Sequence, residues 1–132
     1  LAPDSMSQAI RDYCRRSGQV EPQTIGETAQ CIYRSLSRRY AEAIGELEKL
    51  NHITYRGINI VGGGCQDSYL NRLTAAATGI PVYAGPVECT ALGNLLVQMI
   101  AAGEFCDIHA ARAAVKDSFE IVEYKSEEGE AP

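Results

Sequence analysis

Val61-Gly62-Gly63-Gly64-Cys65-Gln66-Asp67-Ser68-Tyr69-Leu70-Asn71-Arg72 decides the fold. Three consecutive glycines stand between a short apolar run and a segment with helical spacing. Ile58, Ile60 and Val61 read as a buried strand, and Tyr69, Leu70, Leu73 and Ala77 as the apolar face of the helix that follows. A turn without side chains lets a ligand lie directly on the backbone. Its amides, with a helix N-terminus behind them, offer donors and positive potential to an anion. The plain alternative is a tight strand-to-helix turn that binds nothing, and the glycines alone leave both readings open.

Outward from this stretch the punctuation is regular. Gly79 closes the helix over 67–78, and Pro81 forbids its continuation. Residues 81–84 form a second short strand, broken by Gly85 and Pro86. A helix over 88–102 carries Leu92, Leu95, Leu96, Met99 and Ile100 and ends at Gly103; a last helix spans 107–117. Phe119 to Tyr124 is a strand or an extended segment, and the acidic tail from Ser126 to Pro132 frays.

Upstream, residues 4–17 form a helix capped by Asp4 or Ser5, with Ile10, Tyr13 and Cys14 on one face and Gly18 at its end. After Pro22, Thr24 and Glu27 have the spacing of a capping box. The helix that follows runs to about residue 50, with Ile25, Ala29, Ile32, Leu36, Tyr40, Ile44, Leu47 and Leu50 at sustained helical spacing. The order is α/β. Strands 57–61 and 81–84, joined by one helix, are expected to be parallel with a right-handed crossover. So few strands make a poor sheet, which is expected to continue in residues outside the chain.

Composition narrows the partners. The chain has 132 residues, enough for one domain, with 45% hydrophobic and 22% charged residues. A net charge of -5 argues against nucleic acid or an anionic membrane as the main partner. Arg34, Arg38 and Arg39 are the wet face of a helix. No apolar run reaches transmembrane length. The N-terminus, Leu1-Ala2-Pro3-Asp4, is neither a signal peptide nor a usual start, and reads as if cut from something longer. Cys14, Cys31, Cys65, Cys89 and Cys106 are odd in number and irregularly spaced, so a secreted disulfide framework is not expected. No Cys-x-x-Cys or Cys/His cluster suggests zinc, and His52 and His109 stand isolated. Cys14 and Cys31 meet only if the first two helices form a hairpin, and are then the one candidate disulfide.

From Ile60 to Leu96 the chain resembles the FGGY carbohydrate kinases, of the actin, Hsp70 and hexokinase-like superfamily. The residues that carry the likeness are Ile60-Val61-Gly62-Gly63-Gly64-Cys65-Gln66-Asp67, with Leu70, Asn71 and Leu73. Thr78-Gly79-Ile80-Pro81-Val82, Ala84-Gly85-Pro86-Val87-Glu88 and Ala91-Leu92-Gly93-Asn94 continue it. The Gly-Gly-Gly-Cys-Gln and Ala-Gly-Pro-Val-Glu runs are most similar to the rhamnulokinase branch. The likeness reaches back through Tyr40, Leu36, Ser35, Cys31, Pro22 and Cys14 and weakens after about residue 105.

The resemblance implies an α/β fold, an incomplete second lobe of an actin-like (ribonuclease H-like) ATPase with a short parallel sheet and flanking helices. Residues 1–56 would be its helical segment, 57–105 the nucleotide-binding strand–helix core, and 106–132 the C-terminal helix and tail. It implies ATP or ADP as cofactor, with Mg²⁺ in the full-length enzyme, and a ketose as the other ligand. The reaction would be phosphoryl transfer from ATP to L-rhamnulose. The family's phosphate-binding hairpin, sugar-deprotonating Asp and second phosphate loop have no counterpart in this sequence, so no catalytic or metal residue is assigned and the chain alone is expected to be inactive. The first lobe becomes a required partner, and a free sheet edge makes a homodimer a further one. The compartment implied is the cytoplasm.

On that basis Gly63 makes the main backbone contact with the nucleotide, flanked by Gly62 and Gly64, because a side chain there would fill ligand space or need a forbidden φ. Gln66, at the helix start, reaches ribose or phosphate. Asn71 either approaches the adenine edge or is a partly exposed helix amide. Cys65 is a small buried filler, and Gly93 allows close helix packing. Asp67 and Glu88 are helix caps before they are acids or bases. Thr74 and Thr78 replace a Cys-x-x-x-Cys pair of some family members. A non-catalytic α/β module remains the other functional class. A dinucleotide fold fits poorly, since the glycines are contiguous and no acidic residue ends the second strand.

Overall fold

The structure, a computed structural model, describes residues 3–126. Helix α1, Met6–Arg16, opens at Ser5, whose hydroxyl accepts the Gln8 amide. It stops at Ser17, and Gly18 turns the chain with φ +71°. Arg15 then clasps Glu21 with two charge-assisted bonds of 2.7 and 2.8 Å, and Arg11 donates to the Pro22 carbonyl. Helix α2, Ile25–Asn51, opens on the expected capping box. Thr24 Oγ1 accepts the Glu27 amide and the Glu27 carboxylate accepts the Thr24 amide, both at 3.1 Å.

α1 and α2 bring Cys14 and Cys31 together as free thiols, and the other three cysteines are free as well. Burial, then the hydrogen bond with Cys31, pushes the Cys14 thiol above its ordinary pKa. His52 ends α2 in the left-handed region, φ 55°, and is exposed, as is His109.

Three short strands follow: β1 (Ile58–Ile60), β2 (Val82–Ala84) and β3 (Val122–Tyr124), in spatial order β1-β2-β3. β1 and β2 are parallel, with Ile58 opposite Val82 and Ile60 opposite Ala84. β3 pairs antiparallel to β2, Val82 opposite Tyr124, so the sheet is mixed and not wholly parallel. The reason is the connection. One helix, α3 (Ser68–Thr78), joins β1 to β2, whereas two, α4 (Cys89–Ala101) and α5 (Ile108–Ser118), lie between β2 and β3. A single helix returns the chain to the end where it started, and a second reverses it again. α4 and α5 pack on each other, and Asp107 caps α5 through the His109 and Ala110 amides.

The core is small: Ala75 of α3, Val82 and Ala84 of β2, Ala111 of α5, and Cys65. Much of the helical apolar surface expected inside lies outside. On α2, Ile25 is 91% exposed, while the buried positions are Thr28 and Ser37. Leu36, Tyr40, Leu47 and Leu50 are exposed, and α4 buries no residue fully. Val61 lies beyond β1 and is exposed, and Ala77 also faces out. The inward positions of α3 are Asn71, Thr74 and Ala75. A Cβ on Gly93 would touch nothing within 4 Å, so no close helix approach requires that glycine. Among the described residues, no helix is long and apolar enough to cross a membrane. The acidic tail beyond Ser126 lies outside the described residues.

Candidate functional site

Because β1 and β2 are parallel, their carboxyl ends lie side by side, the place where α/β sheets present ligand-binding loops. The loops leaving them are laced together. The Gly85 amide donates to the Ile60 carbonyl at 2.9 Å, and the Gly62 amide to the Pro86 carbonyl at 3.3 Å. The Gly85–Pro86 bond is cis, and Gly85 has φ +129°. A Cβ on Gly85 would sit 2.7 Å from the Glu120 carbonyl oxygen, so only glycine lets the segment entering β3 pass.

The glycine run is a single 3₁₀ turn, Gly63–Gln66, entered through Gly62 at φ 75°, ψ −164°. That backbone region belongs to glycine. The conformational demand therefore falls on Gly62 and not on Gly63, whose φ is not positive. The Cys65 amide closes on the Gly62 carbonyl at 3.1 Å, and the Asp67 amide on the Gly64 carbonyl at 3.3 Å. The Gly63 and Gly64 amides donate to nothing among the described residues. A Cβ built on Gly62 or Gly63 meets nothing within 4 Å, so this side of the turn is open. Two amides without partners on a turn that is open at Gly62 and Gly63 are what an incoming anion or sugar hydroxyl requires.

Gln66 is exposed and is the last residue of the 3₁₀ turn rather than the first of α3. Asp67 is the N-cap of α3; its carboxylate accepts the Leu70 amide at 3.0 Å. That bond, then the Tyr33 phenol, hold the Asp67 carboxyl below its usual range. Tyr33 is correspondingly raised, by its hydrogen bond to Asp67 and then by that charge. Glu88 stands at the N-cap position of α4 without a capping bond from its side chain. Cys65 is buried, as expected.

Asn71 lies elsewhere than expected. It has 0% exposure, and its Nδ2 donates to the Cys65 carbonyl at 3.0 Å. It is therefore not a partly exposed amide. The structure thus gathers Gly62, Gly63, Gly64 and Gln66 on one turn and sets Asn71 beneath it. Sequence reasoning gave no site role to Tyr33, which nothing local marks out. Gly85 and Pro86 entered it as a strand breaker and as part of the Ala-Gly-Pro-Val-Glu run, without a site role. Among the described residues no three of His, Cys, Asp and Glu come together to hold a metal ion.

The family model described as the FGGY family of carbohydrate kinases, C-terminal domain, matches residues 1–102. Among curated proteins, the chain is 50% identical over 121 residues to a rhamnulokinase of Bacillus subtilis (strain 168), covering 92% of this chain and 25% of that protein. It is 46% identical over 124 residues to a rhamnulokinase of Pectobacterium atrosepticum, covering 94% and 25%. It is 41% identical over 130 residues to a rhamnulokinase of Halalkalibacterium halodurans, covering 98% and 28%. The chain spans about a quarter of the length of these relatives.

Proposed function

The chain belongs to the FGGY family of carbohydrate kinases, through that family's C-terminal domain, and from this premise we propose that it supplies the adenosine side of the ATP site in a kinase acting on L-rhamnulose. The products would be ADP and L-rhamnulose 1-phosphate. The observation that carries the nucleotide reading is the open 3₁₀ turn with free amides on Gly63 and Gly64. Gly62 shapes it, Gly63 and Gly64 meet the ribose and α-phosphate side, and the exposed Gln66 side chain reaches the same ligand. ATP supplies the phosphoryl group, and Mg²⁺ would enter with its phosphates; no residue of this chain is assigned to the metal. Phosphoryl transfer depends on positioning and charge stabilisation, and this chain contributes the positioning. Alone it is expected to be inactive, and the names of its relatives support the sugar.

Among the described residues β1 has a free edge, and α2 and α4 expose Ile25, Leu36, Leu50, Leu95 and Val97. We assign the cover of this surface to the remainder of the kinase chain, since the relatives are about four times as long. A chain that instead sediments as a homodimer through β1 would overturn that assignment. The cytoplasm, where ATP is available, is the compartment that fits, and the free thiols support it.

An amide NMR spectrum of this protein titrated with ADP tests the nucleotide reading. Shifts concentrated at Gly62–Gln66 are expected. A dispersed spectrum that does not respond there would overturn it.

A further inference from the structure

Asn71 is among the largest fully buried side chains, yet only half of its amide is satisfied. Nδ2 donates to the Cys65 carbonyl, whereas Oδ1 has no partner. The orientation follows from chemistry: a flipped amide would point oxygen at oxygen. Thr74 Oγ1 already donates to the Leu70 carbonyl at 2.8 Å. Asn71 also borders a cavity of about 310 Å³ whose walls include Ile44, Ile58, Ile60 and Gly64. Burying a carbonyl oxygen unpaired is costly, and a leucine in this setting would avoid the cost. An amide at this position is thus poorly explained by stability.

What the amide does accomplish is local. Cys65 lies in the middle of the Gly63–Gln66 turn, and its carbonyl is held from inside by the one side-chain donor that reaches it. The Cys65 carbonyl belongs to the Cys65–Gln66 peptide, so this bond ties to α3 the C-terminal half of the turn whose N-terminal half carries the Gly63 and Gly64 amides. Asp67 anchors the far end of the turn on the Leu70 amide, and the Pro86 carbonyl anchors the near end at the Gly62 amide. Among the described side chains, Asn71 alone bonds to the centre of the turn. Gly62, Gly63 and Gly64 lack side chains to pack, so besides its own backbone bonds the turn depends on such anchors for its shape.

We infer that Asn71 is a positioning residue for nucleotide binding, acting through the Cys65 carbonyl to preorganise the glycine turn without touching the ligand. This rests on the nucleotide reading proposed above.

The test compares the unsubstituted protein with Asn71→Leu and Asn71→Gln by hydrogen exchange without ligand and by ADP titration. Asn71→Leu is expected to speed exchange at the Cys65 and Asp67 amides at least tenfold, to leave the C-terminal half of α3 unchanged, and to weaken ADP at least tenfold. Asn71→Gln keeps a donor and can use the adjoining cavity, so it is expected to recover part of both losses. Should Asn71→Leu fail to fold, Asn71→Ala removes the amide without added bulk and carries the same expectation. Unchanged exchange in the turn would overturn the inference. So would a loosened turn that binds ADP as before, or a loss of ADP binding that follows global unfolding. If the unsubstituted protein itself ignores ADP at Gly62–Gln66, the nucleotide reading fails first, and the exchange data show separately whether Asn71 braces the turn.

Discussion

Tyr33 of α2 and Tyr69 of α3 meet edge to face, their ring centroids 5.5 Å apart and their planes at 81°. The same Tyr33 presents its phenol to Asp67 at the N-terminus of α3. One residue of the long helix therefore lies against both the cap and the first turn of the helix behind the glycine turn. Tyr69→Leu is expected to lower the melting temperature by about 3–5 °C. A double cycle with Tyr33→Leu should show positive coupling, since the geometry is that of a favourable aromatic pair. Additive losses in thermal melts would show that the rings are neighbours without being partners.

The glycines separate shape from contact. Gly62→Ala places a side chain at φ 75° and is expected to cost about 1–3 kcal/mol in denaturant unfolding. Gly85→Ala adds a clash with the Glu120 carbonyl to a similar strain and should cost more. Gly63→Ala meets neither obstacle, and its stability should stay within about 1 kcal/mol of the parent or rise slightly. Its ADP affinity should nevertheless fall at least tenfold. Loss of stability without loss of affinity at Gly63 would make it the shaping residue and take the ligand contact away from it.

Asp67 makes acid sensitivity local. Its folded pKa lies below the unfolded value of about 3.9, so the stabilisation it gives is complete above that value. It is lost as pH falls through the folded value. Asp67→Asn should therefore lower stability at neutral pH and flatten the acid limb of the stability curve below about pH 5. An unchanged acid limb would mean that the carboxylate gains nothing from the Leu70 amide.

The thiols should react in order of access. Cys106 is exposed, whereas Cys14 is buried, with its pKa raised by burial and by Cys31. Thiolate attack on an aromatic disulfide reagent should modify Cys106 first and Cys14 last at neutral pH. Early loss of Cys14, followed by mass spectrometry, would show that α1 opens readily from α2.

Helix positions were legible because their signals are local. Thr24 with Glu27, and Gly79 with Pro81, mark ends through signals carried within a few residues. Which face each helix buries was not, because that depends on what covers it. Ile25 keeps helical spacing and still lies in solvent, while Thr74 is buried with its hydroxyl on its own helix. The glycine turn was visible as a run. The assignment of the unusual φ to Gly62 required the position of Pro86, and the burial of Asn71 required that of α2. The antiparallel course of β3 follows from two intervening helices, a count already present in the order of elements along the chain.

β3 carries a consequence for where this unit ends. The family match stops at residue 102, but Val122–Tyr124 forms one side of the sheet, and the Glu120 carbonyl lies against Gly85. Gly85 in turn holds Ile60, next to the glycine turn. A protein trimmed at residue 102 would keep every position of the family model and strip β2 of its outer neighbour. The span of the family model is thus shorter than the sheet it takes part in.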